Sequence, residues 1–202
     1  SGNRFLLNRR GYVYLTANPN SIADYQQAAR AAELAGAGEV RVHTDRSSAT
    51  YVPLDPHRFA DQPIGSDLLL DRSLILERFP GVNAGVVAAV HARRCGWFSG
   101  QQLGMYMLER AREKGARLVE GRVERVETAG GRVTAVGIGA HGGALTIATP
   151  RFVNAAGPFL KEVGRLLGVE LPVFCERHAK VAFHDTRGVV PRHAPMMIWT
   201  DA

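Results

Sequence analysis

The sequence predicts an α/β protein, α+β overall, in which helices and strands alternate and a small antiparallel sheet is inserted. Three observations support this fold class. A strand-like segment at 11–16 precedes an Ala-rich helical segment at 21–38. A helix is predicted to start at Ser99, because Ser99 and Gln102 form the S-x-x-Q pattern of a capping box. Three short strand-like segments joined by glycine-containing turns follow that helix, and they predict a β-meander.

The first half of the chain predicts one β–α unit and then a loop-rich region. "GYVYLT" (11–16) alternates as a strand does, and the following helix ends at glycines. Residues 46–70 contain several prolines and indicate irregular chain with short extended pieces. "DRSLILERFPG" predicts a short helix that stops before Pro80. "GVVAAVHARRCGWF" (85–98) contains an extended apolar segment and a turn.

The second half predicts a helix, a buried strand and the meander. Leu103, Met107 and Ala111 mark one apolar face of a helix that runs through Lys114. "ARLVEG" (116–121) predicts a buried-type strand directly after it. The segments "RVERVET", "RVTAVGIG" and "ALTIAT" predict the three strands of the meander, with the turn "AGG" joining the first two.

The stretch "GIGAHG" (137–142) has the spacing G-x-G-x-x-G of a phosphate-binding loop. That spacing has a mechanism only where a helix follows, because the helix N-terminus must face the phosphates. Here "ALTIATP" follows, and its alternation predicts a strand. We therefore predict a hairpin, in which the glycines supply the positive φ angles of the turn. Glu162 lies where an acidic ribose partner would be expected, but it falls in a predicted helix.

The segment "RFVNAAGP" (151–158) is the better candidate for a cofactor-binding turn. Residues 151–154 predict a strand, 155–157 are small, and Pro158 is well placed to start the helix "FLKEVGRLLG". A strand, a small-residue turn and a helix N-terminus allow backbone to approach a ligand closely.

Composition limits the classes of function. The chain has 202 residues, a net charge of +6 and 46% hydrophobic residues, which suffices for a sizeable core. The basic residues are dispersed, with no Lys/Arg tract, so we expect no nucleic-acid partner. No apolar run is long enough for a membrane span. Cys95 and Cys175 form no metal-type spacing, and the histidines are scattered, so we predict no metal site. A reducing, cytoplasmic setting with both thiols buried is expected.

The order of these segments resembles a known family. "GYVYLT", "GWFSGQQLGMYMLERAREKGARLVEGRVERVE", "FVNAAGP" and "LPVFCERHAKVAF" occur in the order found in FAD-dependent amine oxidoreductases of the D-amino-acid oxidase superfamily. Sarcosine oxidase, glycine oxidase and the dimethylglycine dehydrogenase group are similar members. The resemblance implies part of a Rossmann-like FAD-binding domain with a three-stranded meander, and the start of an antiparallel-sheet substrate domain.

The resemblance also implies the cofactor and its contacts. FAD would lie with its adenine along the strand that contains Val123, whose backbone would bond the ring edge. The turn Ala155, Ala156 and Gly157 would lie beside the pyrophosphate and ribityl chain, and Asn154 would orient that turn. From the residues alone, Val123 is a plain sheet valine, Asn154 a helix-entry residue and the small residues a strand–helix packing contact.

The substrate side of the resemblance is thinner. "VFCERHAKVAF" resembles the first strand of the family's substrate domain, where an arginine followed by glutamine is usual, and here the pair is Arg177–His178. Arg177 matches and His178 departs from the pattern, and Arg177 is equally explained as a surface ion-pair residue. Arg10 is a second candidate partner for a substrate carboxylate. Trp97 is better explained as an anchor of a helix start than as a flavin contact.

The resemblance divides the chain into domains. Residues 1–45 and 66–170 would form a partial FAD-binding domain, 46–65 a loop-rich connection, and 171–202 the start of the substrate domain. The family's own G-x-G-x-x-G unit would precede residue 1, so we expect an interior fragment that is inactive alone. His91 and Cys95 match no family position for covalent flavin attachment.

The leading expectation is an FAD enzyme that oxidises the C–N bond of a small amino acid or N-methyl amine by hydride transfer to flavin N5. An alternative is a non-catalytic ADP- or FAD-binding or assembly module on the same fold. A hydroxy-acid or glycerol-phosphate oxidising relative is a further alternative, separable by substrate profile. The sequence leaves open the substrate, the electron acceptor and the oligomeric state.

Overall fold

Strands and helices alternate through the part of the chain that the computed structural model describes, which is residues 2–46 and 51–201. Its strands are β1 (Tyr12–Thr16), β2 (Val40–His43), β3 (Ser66–Leu69), β4 (Ala88–Ala92), β5 (Arg122–Ala129), β6 (Arg132–Ala140), β7 (Gly143–Ala148) and β8 (Met196–Trp199). Its α-helices are α1 (Ile22–Ala32), α2 (Arg72–Arg78), α3 (Gly100–Glu113) and α4 (Leu160–Arg165).

The chain divides into two compact units. Unit 1 comprises the described residues up to Arg110 and from Phe183 onward, and unit 2 comprises Ala111–Ala182. These units follow different boundaries from the domain ranges expected from the sequence. Which unit belongs to a flavin half or to a substrate half therefore stays a prediction.

Unit 1 is built on a mixed five-stranded sheet with the order β2-β3-β4-β1-β8. β2 pairs with β3, and β1 with β8, in parallel, whereas β4 runs antiparallel to both of its neighbours. Since alternate residues of a strand point to opposite faces, Val13 and Leu15 lie on one face with Leu69 and Ala89. These residues form the core together with α2 and Phe79.

The other face of this sheet is covered by α1, which packs against β3 and β4. Ala29 of α1 and the sheet residues Leu68 and Ala88 are buried there.

The predicted β–α unit and the short helix before Pro80 are both confirmed. The helix α2 begins at Asp71, whose side chain caps the Leu74 amide at 2.7 Å. Residues 51–65 contain neither helix nor strand, as predicted, and 47–50 lie outside the described residues.

Unit 2 contains the antiparallel meander β5-β6-β7, which confirms that part of the predicted fold class. Gly130 and Gly131 connect the first two strands with positive φ angles of 58° and 74°, as a type I′ hairpin turn requires. One face carries two apolar rows across the three strands. The rows are Val126–Val136–Ile147 and Val123–Ile138–Leu145.

The "GIGAHG" stretch is part of this hairpin and no helix follows it, as predicted. The prediction that its glycines serve the turn needs correction, however, because Gly137 and Gly139 lie inside β6. A Cβ at Gly137 would lie 2.6 Å from the Arg125 side chain, and one at Gly139 would lie 2.2 Å from the Glu124 carboxylate. These glycines therefore make room for charged side chains that cross the sheet.

Three predicted strands are wrong in the described chain. Residues 116–121, 151–154 and the "VFCERHAKVAF" segment (173–183) are not in strands. A strand is stabilised by hydrogen bonds to a neighbouring strand, and no described strand pairs with these segments. Their apolar side chains are consequently open to solvent, with Leu118 56% and Val153 83% exposed.

The helix α3 begins where the capping pattern predicted. The Gln102 amide donates to the Ser99 hydroxyl at 3.2 Å, but the Ser99 amide donates to the Phe5 carbonyl and not to Gln102. Only half of the capping box is therefore formed.

The prediction that both thiols are buried is wrong, since Cys95 is half-buried and Cys175 is exposed.

A helix long and apolar enough to cross a membrane is absent from the described residues.

Candidate functional site

A cavity of about 570 Å³ in unit 2 contains two of the residues predicted to contact a cofactor. Val123, on β5, and Ala156, just before α4, both line it. Its remaining lining comes from the residues around these two and from one side of α4: Gly121, Arg122, Phe159, Glu162, Val163 and Leu166. Sequence positions more than thirty residues apart thus meet at one cavity.

The turn that carries Ala156 is held by Asn154. The Asn154 side chain donates from Nδ2 to the Leu160 carbonyl at 2.8 Å and accepts from the Ala156 amide at 3.3 Å. Gly157 has a φ of 54°, a left-handed conformation that favours glycine. Asn154 thus bonds both sides of the turn, and Ala155 and Gly157 within it are exposed.

The lining suits a flat, mostly apolar group with a charged extension. Phe159, Val163 and Leu166 supply apolar surface, whereas Arg122 and Glu162 supply opposite charges. Small residues at the turn leave the backbone open to a ligand. An adenine ring with its ribose and phosphates has this combination of properties, so the residues present fit the nucleotide end of FAD.

The predicted substrate residues are not brought together within one unit. Arg177 and His178 lie in unit 2, where both are exposed, and His178 Nε2 is 3.6 Å from a carboxylate oxygen of Glu176. Arg10 lies in unit 1, where its guanidinium donates to the carbonyls of Arg192 at 2.8 Å and Pro56 at 3.4 Å. Their roles toward a substrate stay predictions.

A cluster of buried charges in unit 1 was missed by sequence reasoning. Asp67 of β3 and Arg93, just after β4, are both fully buried and form an ion pair. Arg41 donates to both oxygens of Asp67 at 2.8 and 2.9 Å, and His43 Nε2 lies 2.8 Å from Oδ1. Burial alone would raise the pKa of Asp67, but the Arg41 hydrogen bonds, the Arg93 charge and the His43 hydrogen bond outweigh it and lower that pKa to about 2.

A second buried pair, Tyr51 and His91, lies beside this cluster. Burial, and next the Arg93 charge, lower the pKa of His91 to about 3, so its ring is neutral. His91 Nε2 lies 2.9 Å from the Arg10 carbonyl, which can only accept, so Nε2 carries the hydrogen. The bare Nδ1 must therefore accept from the Tyr51 hydroxyl, 2.9 Å away.

The charge cluster around Asp67 and the Tyr51–His91 pair are only weakly indicated by the sequence. Asp67 interrupts the apolar run "GSDLLL", and His91 and Arg93 stand two residues apart after "GVVAAV", on the same face of an extended segment. A charged residue within an apolar strand is informative because it needs a buried partner. The sequence alone does not say which residue that partner is.

The lining of this cavity suits a nucleotide. Comparison with known families is specific: the model of the DAO family, "FAD dependent oxidoreductase", matches residues 2–201. The chain belongs to this family of FAD-dependent oxidoreductases. The predicted recognition, and FAD as the cofactor of the family, are confirmed.

Solved structures agree on the fold. L-proline dehydrogenase from P. horikoshii has 16% identity and a TM-score of 0.64 over 96% of this chain and 44% of its own. Glycine oxidase from Geobacillus kaustophilus has 18% identity and a TM-score of 0.59 over 86% and 38%. L-amino acid deaminase from Proteus myxofaciens has 21% identity and a TM-score of 0.53 over 85% and 32%.

The chain therefore spans less than half the length of these structural neighbours. No curated protein matches the sequence significantly.

Proposed function

We propose that the protein acts as an FAD-dependent oxidoreductase that oxidises the C–N bond of a small amino acid or N-methyl amine by hydride transfer to flavin N5. The observation that carries this proposal is the meeting of Val123 and Ala156 at one cavity of unit 2. Membership of the FAD-dependent oxidoreductase family supports the cofactor. Structural neighbours named for glycine, proline and L-amino acids support the substrate class.

The residues of unit 2 would hold the nucleotide end of the cofactor. The Val123 backbone would hydrogen-bond the adenine edge, and Val163 and Leu166 would pack on the ring. The turn Ala155–Gly157 would face the pyrophosphate and ribityl chain, with its shape kept by the two hydrogen bonds of Asn154. FAD would supply the hydride acceptor, and this part of the chain would supply position.

Substrate recognition would need an arginine for the carboxylate. Arg177 is the stronger candidate because it is exposed and has no hydrogen bond within the described chain, whereas Arg10 already donates to two backbone carbonyls. His178, next to Arg177, would add a second donor. An arginine bonded to the substrate carboxylate would orient the substrate. Exclusion of water from the substrate site would favour the neutral form of the substrate amine. We also propose the domain ranges given above, with 171–202 on the substrate side.

The test is an absorption spectrum of the purified complete gene product with added FAD, followed by anaerobic addition of sarcosine, glycine, dimethylglycine and proline. Flavin bands that one of these bleaches are the expected result. Bound flavin that none of them bleaches would contradict the amine substrate and keep the fold. ADP binding without any flavin binding would favour the non-catalytic nucleotide-binding module.

A pair of variants tests the cavity itself. Ala156→Phe would fill the space beside Val123, so we expect FAD affinity to fall by about tenfold or more. Ala148→Phe places the same side chain on the exposed strand β7 and serves as the matched control. Equal FAD affinity in both variants would show that the cofactor binds elsewhere.

A further inference from the structure

A second cavity, of about 330 Å³, lies entirely among residues of unit 1. Its walls come from the irregular segment after Tyr51, from the end of α2, and from the segment that leads into β8. The apolar part of the lining is dominated by prolines and large side chains, including Pro53, Phe79, Pro195 and Met197. The volume is at the lower end of the range for small-molecule sites, so an occupant must be compact.

The two charged groups at this cavity differ in how closely they are paired. Glu77 and Arg78 both line it. Glu77 Oε2 accepts from Arg46 Nε at 3.0 Å, whereas its other oxygen is 3.5 Å from Arg78 Nη2. Arg46 thus neutralises Glu77 at short range, and the Arg78 guanidinium keeps most of its hydrogen-bonding capacity for another acceptor.

The neutral polar side chains at the cavity are those of Tyr51, His91 and His193. The hydroxyl hydrogen of Tyr51 is committed to His91. His193 packs edge-on against His57, with 5.0 Å between ring centroids, and makes no hydrogen bond to another described residue. Arg78 and His193 are therefore the groups that can donate to an occupant.

A buried positive charge behind the cavity wall is an independent observation. Arg93 and Arg41 share the carboxylate of Asp67, and Arg41 also interacts with the charge of Glu39. The terminal nitrogens of Arg93 are buried and have no hydrogen-bond partner in the described chain. The Arg93 Cζ atom lies 4.6 Å from the centroid of the Tyr51 ring, which lines the cavity. In a medium of low dielectric constant, an anion in the cavity would interact favourably with this charge.

We propose that this cavity binds a small monocarboxylate with an apolar body, whose carboxylate bonds Arg78 and His193 while its body packs on the prolines and Phe79. The positive charges of Arg78 and Arg93 favour an anionic ligand, and the apolar walls favour a ligand with an apolar body. This site stands independently of the proposed oxidation, because it is lined neither by residues of the FAD cavity nor by Arg10, Arg177 or His178.

The experiment titrates the full chain with three ligands that share one apolar body: 3-phenylpropionate, 3-phenylpropan-1-ol and 3-phenylpropylamine. Labelling with [ε-¹³C]methionine gives a local reporter, since Met197 lines the cavity whereas Met107 lies exposed on α3. We expect the carboxylate to shift the Met197 methyl signal with a Kd about tenfold lower than that of the alcohol, and the amine to bind more weakly than both. The Met107 signal should stay in place.

Charge variants locate the anion. Arg78→Gln should remove the advantage of the carboxylate over the alcohol, and Arg78→Lys should keep part of it. Arg30→Gln is the control, since it removes an equal charge on α1, away from the cavity. An unchanged methyl spectrum of each variant without ligand verifies its fold. Carboxylate binding that is absent, that is no tighter than amine binding, or that survives Arg78→Gln unchanged would overturn the proposal.

Discussion

The two units differ in where they place their charges. Unit 1 buries Asp67 and Arg93 completely, beside the core that α2 and the sheet enclose. In unit 2 the ion pairs are exposed to solvent, as with Glu170, which Lys161 and Arg165 contact at 2.8 and 3.0 Å. A buried charge is costly without its partner, whereas an exposed one is solvated by water.

Because of this difference, we expect the buried charges to matter for the stability of unit 1, and unit 2 to be accessible to a ligand. In unit 1 the sheet is covered on both faces, and its polar groups depend on one another. In unit 2 exposed residues occur in the turn at Ala155–Gly157 and in the segments 116–121 and 151–154. A turn at the start of a helix offers backbone amides that the phosphates of a bound nucleotide would use. The comparison therefore predicts that unit 1 responds strongly to single substitutions and to pH, and that unit 2 responds mainly to ligand.

The largest expected effect is that of Asp67→Asn. This change leaves Arg41 and Arg93 without their carboxylate, and breaking a buried ion pair in this way costs about 3–5 kcal/mol of unfolding free energy. Urea denaturation measures the loss. Glu170→Gln in unit 2 should leave the midpoint unchanged, because that carboxylate is solvated. A similar response to both substitutions would remove the distinction between the units.

Gly11→Ala should have the next largest effect, about 3 kcal/mol. Gly11 has a φ of 80°, and a Cβ there would lie 2.2 Å from His91 Nε2. The new methyl group must displace a buried ring that is bonded on both sides. Gly131→Ala has a similar φ of 74° but meets nothing within 4 Å, so it should cost only the backbone strain of about 1 kcal/mol. Thermal unfolding of both variants compares steric overlap with strain alone.

Acid should destabilise unit 1 well above the pH at which carboxylates titrate. The pKa of His91 is lowered from 6.5 to about 3, so below pH 6.5 the unfolded chain takes up a proton that the folded chain does not. The unfolding free energy then falls by about 1.4 kcal/mol per pH unit, or about 2 kcal/mol between pH 6.5 and 5. Asp67 adds a further loss only below pH 4, because its pKa is lowered from 3.8 to about 2.

His91→Gln tests the source of this acid sensitivity. Glutamine can donate to the Arg10 carbonyl and accept from the Tyr51 hydroxyl, but it does not titrate. Urea denaturation between pH 7 and 5 should show a much flatter dependence in this variant. If the slope remained, another group would be responsible.

The local elements of this fold were predictable from the sequence because their signals are local. The helix stop before Pro80, the glycine turn at 130–131 and the alternation of the meander strands all act over a few residues. The strands predicted at 116–121 and 151–154 failed for the opposite reason. Apolar alternation shows that a segment can pair, but the strand forms only where a neighbour offers its hydrogen bonds.

The two candidate sites also differ in how far the sequence predicted them. Val123 and Ala156 were identified through resemblance of motif order, and the structure brings both to one cavity. Their contacts with FAD remain predictions. The charge cluster of unit 1 could not be predicted, because Arg41, Asp67 and Arg93 come from three separate strands or their ends, and their pairing depends on the register of the sheet.

The smallest effect, and the most informative about unit 1, is expected for Tyr51→Phe. At pH 7 the variant loses the hydrogen bond to His91 Nδ1, which costs about 1 kcal/mol. Burial raises the pKa of Tyr51 from 10.0 to about 12, so above pH 10 the unfolded wild-type chain releases a proton that the folded chain retains. Stability that is complete below pH 10 is thus lost as the pH rises toward 12.

The phenylalanine variant lacks the Tyr51 part of this loss, so its stability curve should cross that of the wild type near about pH 11. Unfolding free energies measured by urea from pH 7 to 11.5 would show the crossing. Unit 2 contains no tyrosine, so it adds no competing phenol titration. Parallel curves without a crossing would mean that the Tyr51 hydroxyl is open to solvent. The walls of the unit 1 cavity would then be more polar than the bonded Tyr51–His91 pair implies.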